Sequence, residues 1–241
     1  GQYGKAPSHP ELLDYLATEL VEKGWAMKPI HRLIVTSAAY RLASIGVEKK
    51  DPDNKYLWHM NARRMEAEAV RDAVLFTAGQ MDPVLGGPEI EESKEQESMR
   101  RSLYIQQSPD LRAEFLGQFD SPNPNECYRR EESIVPQQAL SLINSRLTLE
   151  QARRLAAKLP RDGFIDAAFE TVLNRPPTPS ERDDAATFLQ QQAGLLSDPS
   201  KLKAFETGVA TPLKPSANPT QRARENLVHV LFNLNEFVTI R

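Results

Sequence analysis

The stretch NARRMEAEAVRDAVLFTAG, residues 61–79, has the pattern of an amphipathic helix. Advancing by ~100° per residue, as in an α-helix, gathers its apolar side chains into one arc. The arc consists of Met65, Ala69, Val70, Ala73 and Val74. Gly79 stands where this helix would end, because glycine readily adopts the left-handed backbone that terminates helices. The stretch therefore predicts a helix that packs one apolar side against a core.

The charged residues of this stretch fall into two groups. One side of the helix gathers Arg64, Glu68, Arg71 and Asp72, which predicts a solvent-exposed charged face. Glu66 instead falls within the apolar arc, and Arg63 precedes it by three residues. Because a lone buried charge costs several kcal/mol, we predict a buried ion pair between Arg63 and Glu66. Two alternatives stay open: the pair lines a pocket, or the helix starts here with Glu66 in an exposed first turn.

Two segments carry the capping box, in which an N-cap hydroxyl and the carboxylate at N3 each bind a free backbone N–H. Ser8 and Glu11 have this spacing at the start of SHPELLDYLATELVEKG, and Thr178 and Glu181 have it at the start of TPSERDDAATFLQQQAG. Each box predicts the first residue of a helix.

These signals predict an all-α fold, a single multi-helix globular domain over residues 1–241. Long loops are expected at about residues 80–99 and 194–220, and both are expected to be mobile. At most one short strand or hairpin is expected. RRSLYI, residues 100–105, is the best strand candidate, although it has no obvious partner strand.

Composition excludes several classes of protein. Hydrophobic residues make up 40% of the chain and charged residues 26%, as in ordinary globular proteins. A net charge of -3 argues against binding to nucleic acid. No apolar run reaches the ~18 residues of a transmembrane segment. The single cysteine rules out an internal disulfide, and no two histidines have metal-ligand spacing, so no metal site is expected.

The connector FDSPNPNECYRREESIVPQQALSLIN, residues 119–144, raises the possibility of a reactive site. Arg129 and Arg130 suit recognition of an anion, or equally well they clamp neighbouring acids such as Asp120. Cys127 beside them could have a lowered pKa, but no histidine is placed by the sequence as its base. We therefore predict an ordered structural connector whose apolar ends, at Phe119 and Ile134, anchor in the core.

Four segments together resemble one family. They are SHPELLDYLATELVEKGWAMKPIHRLIVTSAAYR, DPDNKYLWHMNARRMEAEAVRDAV, the connector FDSPNPNECYRREESIVPQQALSLIN, and the ending LVHVLFNLNEF. They resemble the planctomycete-type domain of unknown function numbered 1553. The resemblance implies an extracytoplasmic protein, periplasmic or secreted, whose upstream part carries companion domains and often a c-type cytochrome. The chain is thus expected to be the C-terminal part of a longer protein.

The family has no established activity, so the resemblance carries over no catalytic residues. We expect a helical module that binds a ligand or a partner, the partners being the upstream cytochrome c or companion domains. No cofactor is expected within this chain, while a c-type haem is possible on an upstream domain. The alternative is a hydrolase or redox enzyme acting on polymeric carbon sources. Its candidate polar cluster is Arg63, Glu66, Arg129 and Arg130.

Overall fold

A computed structural model of the chain describes residues 6–44, 51–122, 125, 133–198, 200, 202 and 211–240. The chain divides into two compact units, residues 1–63 with 240–241 and residues 64–239. Helices dominate the described residues, which confirms the all-α prediction. The expectation of one domain, and of mobile loops at 80–99 and 194–220, stays a prediction.

The helices and strands have the following bounds. The α-helices are α1 Pro10–Glu22, α2 Met27–Thr36, α3 Ala67–Thr77, α4 Glu114–Gln118, α5 Pro136–Asn144, α6 Arg146–Lys158, α7 Phe164–Leu173, α8 Pro179–Leu196 and α9 Pro219–Phe232. Two 3₁₀ turns span Glu92–Lys94 and Ser102–Tyr104. A two-stranded sheet pairs β1, Arg63–Arg64, with β2, Thr239–Ile240.

The first unit contains helices α1 and α2, which contact each other and are joined by a short turn. Gly24 and Trp25 both have positive φ in this turn, so the glycine helps the chain reverse after α1. The N-cap of α1 is His9, with Pro10 as the first helical residue, and it makes no side-chain cap bond. The capping box predicted at Ser8 is therefore wrong, because the helix begins one residue later than its spacing requires.

The core of the second unit lies where α9 packs against α6 and α8. Leu227, Val228, Leu231 and Phe232 of α9 are buried there, together with side chains of α3, α6 and α7. Helix α3 supplies Val70, Val74 and Leu75, none of which is exposed at all. Lys158, at the end of α6, donates to the carbonyls of Ala78 and Gly79 and so closes the end of α3.

The buried side of α3 is rotated by about one residue from the predicted arc. Ala67, Val70, Val74 and Leu75 are buried, whereas Ala69 is exposed. Arg71 lies on this buried side with none of its surface exposed. The predicted solvent-exposed charged face is therefore wrong for Arg71.

Arg71 is buried because the segment 95–102 supplies acceptors for its guanidinium. Nε donates to the carbonyl of Glu95 at 2.7 Å, and Nη1 donates to the carbonyl of Arg100 at 2.9 Å. Nη2 donates to the carbonyl of Ser98 at 2.5 Å. Burial lowers the pKa of Arg71, and the nearby carboxylates of Asp72 and Glu95 oppose that shift. The guanidinium thus replaces its lost water with backbone oxygens from one loop.

The adjacent Asp72 fixes the segment that was predicted as a strand. Its carboxylate accepts from the backbone N–H of Ser102 at 2.8 Å and from the Ser102 hydroxyl at 2.6 Å. Ser102–Tyr104 forms a 3₁₀ turn, and Ile105 makes only an isolated bridge to Ile90. The strand predicted at residues 100–105 is wrong because these side-chain bonds curl the backbone at Ser102.

The second predicted capping box is confirmed. The Thr178 hydroxyl accepts from the Glu181 N–H, and the Glu181 carboxylate accepts from the Thr178 N–H. The same carboxylate binds Arg175, whose Nη1 and Nη2 donate to its two oxygens at 2.8 and 2.6 Å. Arg175 also donates to Glu236 at 2.8 Å, which ties the start of α8 to the segment after α9. The Arg175 guanidinium lowers the pKa of Glu181 to about 2.

Replacing Arg71 with Ala is expected to lower the free energy of unfolding by about 3–5 kcal/mol, because it leaves buried carbonyl groups without hydrogen-bond donors and creates a cavity. The measurement is urea unfolding followed by circular dichroism. Arg101→Ala is the matched control, since Arg101 is half-exposed and pairs with Asp72 at 3.4 Å. It should cost less than about 1 kcal/mol. Equal losses for the two variants would contradict the role assigned to Arg71.

The Glu181→Gln variant is expected to be less stable than the wild type by about 1–2 kcal/mol at pH 7, since it weakens the cap and a partly solvent-screened ion pair. The folded pKa of Glu181, about 2, lies below its ordinary 4.5. The stabilisation is therefore complete above pH 4.5 and is lost as the pH falls toward 2. Urea melts across this range should show the difference disappearing. Glu170→Gln, at an exposed position of α7, is the control and should change the free energy of unfolding by less than about 0.5 kcal/mol.

Candidate functional site

The structure does not support the predicted buried pair of Arg63 and Glu66. Both residues are exposed, and Glu66 is the N-cap residue of α3 with extended backbone. The prediction of burial is wrong because α3 begins at Ala67, so Glu66 does not take part in the helical arc on which its burial depended. The open alternative, with Glu66 exposed at the start of the helix, describes its position.

The remaining members of the candidate cluster, Arg129 and Arg130, lie outside the described residues, as does Cys127. The described ends of the connector behave differently from each other. Phe119 is buried as predicted, whereas Ile134 is 86% exposed, so its predicted anchoring is wrong. Asp120 makes the closing contact instead.

Asp120 joins the two ends of the connector through its carboxylate. It accepts from the Ser133 N–H at 2.7 Å and from the Ser133 hydroxyl at 2.8 Å. The amide of Gln138, which is almost fully buried, donates to the Ser133 carbonyl at 3.1 Å. These bonds place the start of α5 beside the end of α4.

A groove of about 490 Å³ lies between α4, α5 and the turn that contains Gln96. We call it the amide groove, since its lining includes Gln96, Gln118, Gln137, Leu140, Ser141 and Asn144, with Glu114, Phe115 and Ser145. Its volume falls in the range of small-molecule binding sites.

Helix α5 forms one wall of the amide groove through the spacing of its residues. Gln137, Leu140, Ser141 and Asn144 follow the i, i+3, i+4, i+7 pattern of a single helix face. The opposite side of α5 is fixed in the protein, where Gln138 and Leu142 are buried. The α5 side chains of the groove therefore stand on a helix whose other face is packed.

The wall opposite α5 depends on Glu95, which is 3% exposed. Its carboxylate accepts from the backbone N–H groups of Phe115 at 2.6 Å and Leu116 at 3.2 Å, at the start of α4. This holds the turn 92–97 against α4 and places Gln96 at the edge of the groove. Burial raises the pKa of Glu95, but both carboxylate oxygens are already bonded, so the group is structural and is not a candidate proton donor.

Several polar side chains of the amide groove face solvent: Gln137 and Asn144 are exposed, and Gln118 and Ser141 are half-buried. Within the described part of the chain, Gln118, Gln137, Ser141 and Asn144 make no side-chain hydrogen bond to the protein. Gln96 has a single long contact, accepting from the Leu147 N–H at 3.5 Å. Three amides and a hydroxyl in one concave surface can therefore donate to and accept from a bound molecule.

Charged side chains collect in a neighbouring groove of about 310 Å³. Arg146 there binds Glu97 at 2.5 Å and Glu150 at 3.0 Å, and the Glu150 hydrogen bond is the main cause of its raised pKa. Because Arg146 already forms ion pairs with two carboxylates, it is a poor binding group for a further anion.

A third groove, of about 510 Å³, is apolar and follows the outer side of α3. Phe76 and Leu85 line it and are 70% and 76% exposed. Asp72 and Arg101 lie at its edge, where they pair with each other. Exposed apolar surface of this kind marks an area available for contact with another molecule.

Histidine and metal chemistry find little support in the described residues. His229 lies half-buried on α9, its Nε2 3.1 Å from the carbonyl of Leu142, and burial lowers its pKa. Among the residues that the structure covers, no group of three His, Cys, Asp or Glu side chains could hold a metal ion. Nor does any described helix have the length and apolarity to cross a bilayer.

Sequence reasoning missed the amide groove, although part of its signal was present. The four α5 residues have helical spacing in the sequence and could have been noticed as a polar helix face. Gln96 and Gln118 could not have been added to them, because Glu95 and Asp120 bring these segments together through long-range bonds.

Comparison with known families gives one finding. The family model described as PSD1, protein of unknown function (DUF1553), matches residues 1–189 of the 241. This confirms the resemblance, although the ending LVHVLFNLNEF lies beyond the matched range. No curated protein and no solved structure matches the chain significantly.

The exposed position of Glu66 predicts that Glu66→Ala changes the free energy of unfolding by less than about 0.5 kcal/mol, as for other surface substitutions. Urea unfolding of the variant beside the wild type measures it. A loss of about 3 kcal/mol or more would instead support the prediction of a buried ion pair.

Proposed function

Because the chain belongs to the PSD1 family of proteins of unknown function (DUF1553), we propose its function from its own geometry. It is a helical binding module, and its amide groove holds a small polar ligand. The observation that supports this most is the set of unbonded polar side chains in that groove, Gln118, Gln137, Ser141 and Asn144.

The arrangement favours binding for two physical reasons. A ligand with hydrogen-bonding groups can replace the hydrogen bonds that water makes with these amides. Displacing the water then costs little free energy. In addition, the α5 residues stand on a helix that is packed on its opposite face by Gln138 and Leu142. Side chains held on a rigid element lose less entropy when a ligand binds.

The proposal includes the setting that the family resemblance implies. The module belongs to an extracytoplasmic, cytochrome c-associated protein, and its partners are the upstream domains of the same polypeptide, one of which carries a c-type haem. Peroxidase-active haem staining of the full-length protein, purified from its native cells, tests this part. A full-length protein without covalent haem would overturn it and would leave the groove proposal standing.

The alternative function, a hydrolase or redox enzyme with an Arg/Glu-lined pocket, has weaker support. Arg63 and Glu66 are exposed and line none of the three grooves described above. Glu95, the buried carboxylate with a raised pKa, has both oxygens bonded to backbone N–H groups. No particular observation on the described residues favours catalysis over binding.

The groove proposal predicts selective changes in side-chain amide signals. We would titrate ¹⁵N-labelled protein with glucose, sodium acetate, sodium phosphate, choline chloride and glycylglycine, and follow the NH₂ resonances of glutamine and asparagine. At least one probe should shift the signals of Gln118, Gln137 and Asn144. These signals are assigned by their loss in single alanine variants.

The control uses glutamines outside the groove. Gln190 and Gln191 lie exposed on α8 and should keep their amide shifts with every probe. If all five probes leave the groove signals unchanged, or if they shift the α8 signals equally, the proposed binding site is wrong.

A further inference from the structure

We propose that the ligand of the amide groove is a neutral carbohydrate, bound through pairs of hydroxyl groups. This inference rests on the proposed function and specifies the chemical class of the ligand. It follows from the charge and the hydrogen-bonding groups of the described lining and from the exposed apolar side chain of Leu140.

Charge in the lining argues against an ionic ligand. Among the described residues that line the amide groove, Glu114 carries the one charged side chain, an exposed carboxylate, and none is Lys or Arg. An anion would meet this carboxylate within the described lining, whereas Arg112 lies on the neighbouring groove, outside that lining. The nearby Arg146 is already bound to Glu97 and Glu150. A single exposed carboxylate also gives little affinity for a cation.

Hydrogen-bonding groups in the lining argue for a ligand that donates and accepts at many points. Each amide of Gln118, Gln137 and Asn144 presents an oxygen acceptor and an NH₂ donor in one plane. A hydroxyl group also donates and accepts, so two neighbouring hydroxyls of a sugar can bind both ends of one amide. An apolar ligand would remove water from these amides and return nothing, which costs free energy at each buried group.

The position of Leu140 fits the other face of a sugar ring. Leu140 is 54% exposed and lies one helical turn from both Gln137 and Asn144 on the groove side of α5. Pyranose rings carry C–H groups on one face and hydroxyls around the edge. An exposed apolar side chain between amides therefore matches a sugar more closely than a fully polar ion or a fully apolar molecule does.

The test measures binding of oligosaccharides by isothermal titration calorimetry. The neutral probes are cellotetraose, maltotetraose and β-1,4-mannotetraose, and the comparison probes are tetragalacturonate and tetraglycine. At least one neutral tetrasaccharide should bind. The double variant Gln137→Ala/Asn144→Ala should weaken this binding at least tenfold, whereas the matched double variant Gln190→Ala/Gln191→Ala on α8 should leave it unchanged. Circular dichroism verifies that both variants fold.

A second variant examines the charge argument. Glu114→Gln should improve binding of tetragalacturonate relative to binding of the neutral sugar, because it removes the repulsive carboxylate from the groove. Improvement of the neutral sugar alone would contradict the argument.

The outcomes separate this inference from the proposed function. Neutral sugar binding that is equal in the wild type and the groove variant overturns the inference. Binding of tetraglycine alone, lost in the groove variant, also overturns it but supports the amide groove as a binding site. If none of the five probes binds, the carbohydrate assignment is wrong, and the amide-shift titration with acetate, phosphate and choline decides the proposed function.

Discussion

The burial of the Arg71 guanidinium is the constraint on which the second unit depends. Its three nitrogens donate to the carbonyls of Glu95, Ser98 and Arg100, so the segment 95–102 has to wrap around the outer end of this side chain. A buried arginine is tolerated only when nearly all its donors are bonded. The interaction therefore fixes the path of this polar segment next to α3.

The same segment extends this constraint to the amide groove. The backbone of Glu95 accepts from Arg71, while its carboxylate holds the first N–H groups of α4. One residue thus connects the interior of α3 to the wall of the groove. Arg146 nearby is paired with Glu97 and Glu150, and the described lining of the groove consists mainly of neutral side chains, with Glu114 as its charged member. The proposed preference for a neutral ligand follows from that separation.

The sequence predicted the candidate site less well than the fold, for a physical reason. Helical projection places a residue on a face only if the helix includes that residue. Glu66 lies before α3, so the projection assigned it a burial that it does not have. Arg71 was assigned to solvent because charged residues usually are exposed, and its acceptors come from 24 to 31 residues further along the chain. Local patterns carry no information about such distant acceptors.

The sequence by itself determined the helical class, the capping box at Thr178 and Glu181, and the family, because each depends on residues close together in the chain. Only the tertiary structure decided which charged residue of α3 is buried and which polar side chains share a groove. Both depend on long-range hydrogen bonds, those of Arg71 and Glu95 and that between Asp120 and Ser133. In the unfolded chain these groups are hydrogen-bonded to water. They exchange water for each other only when the fold brings the distant partners together.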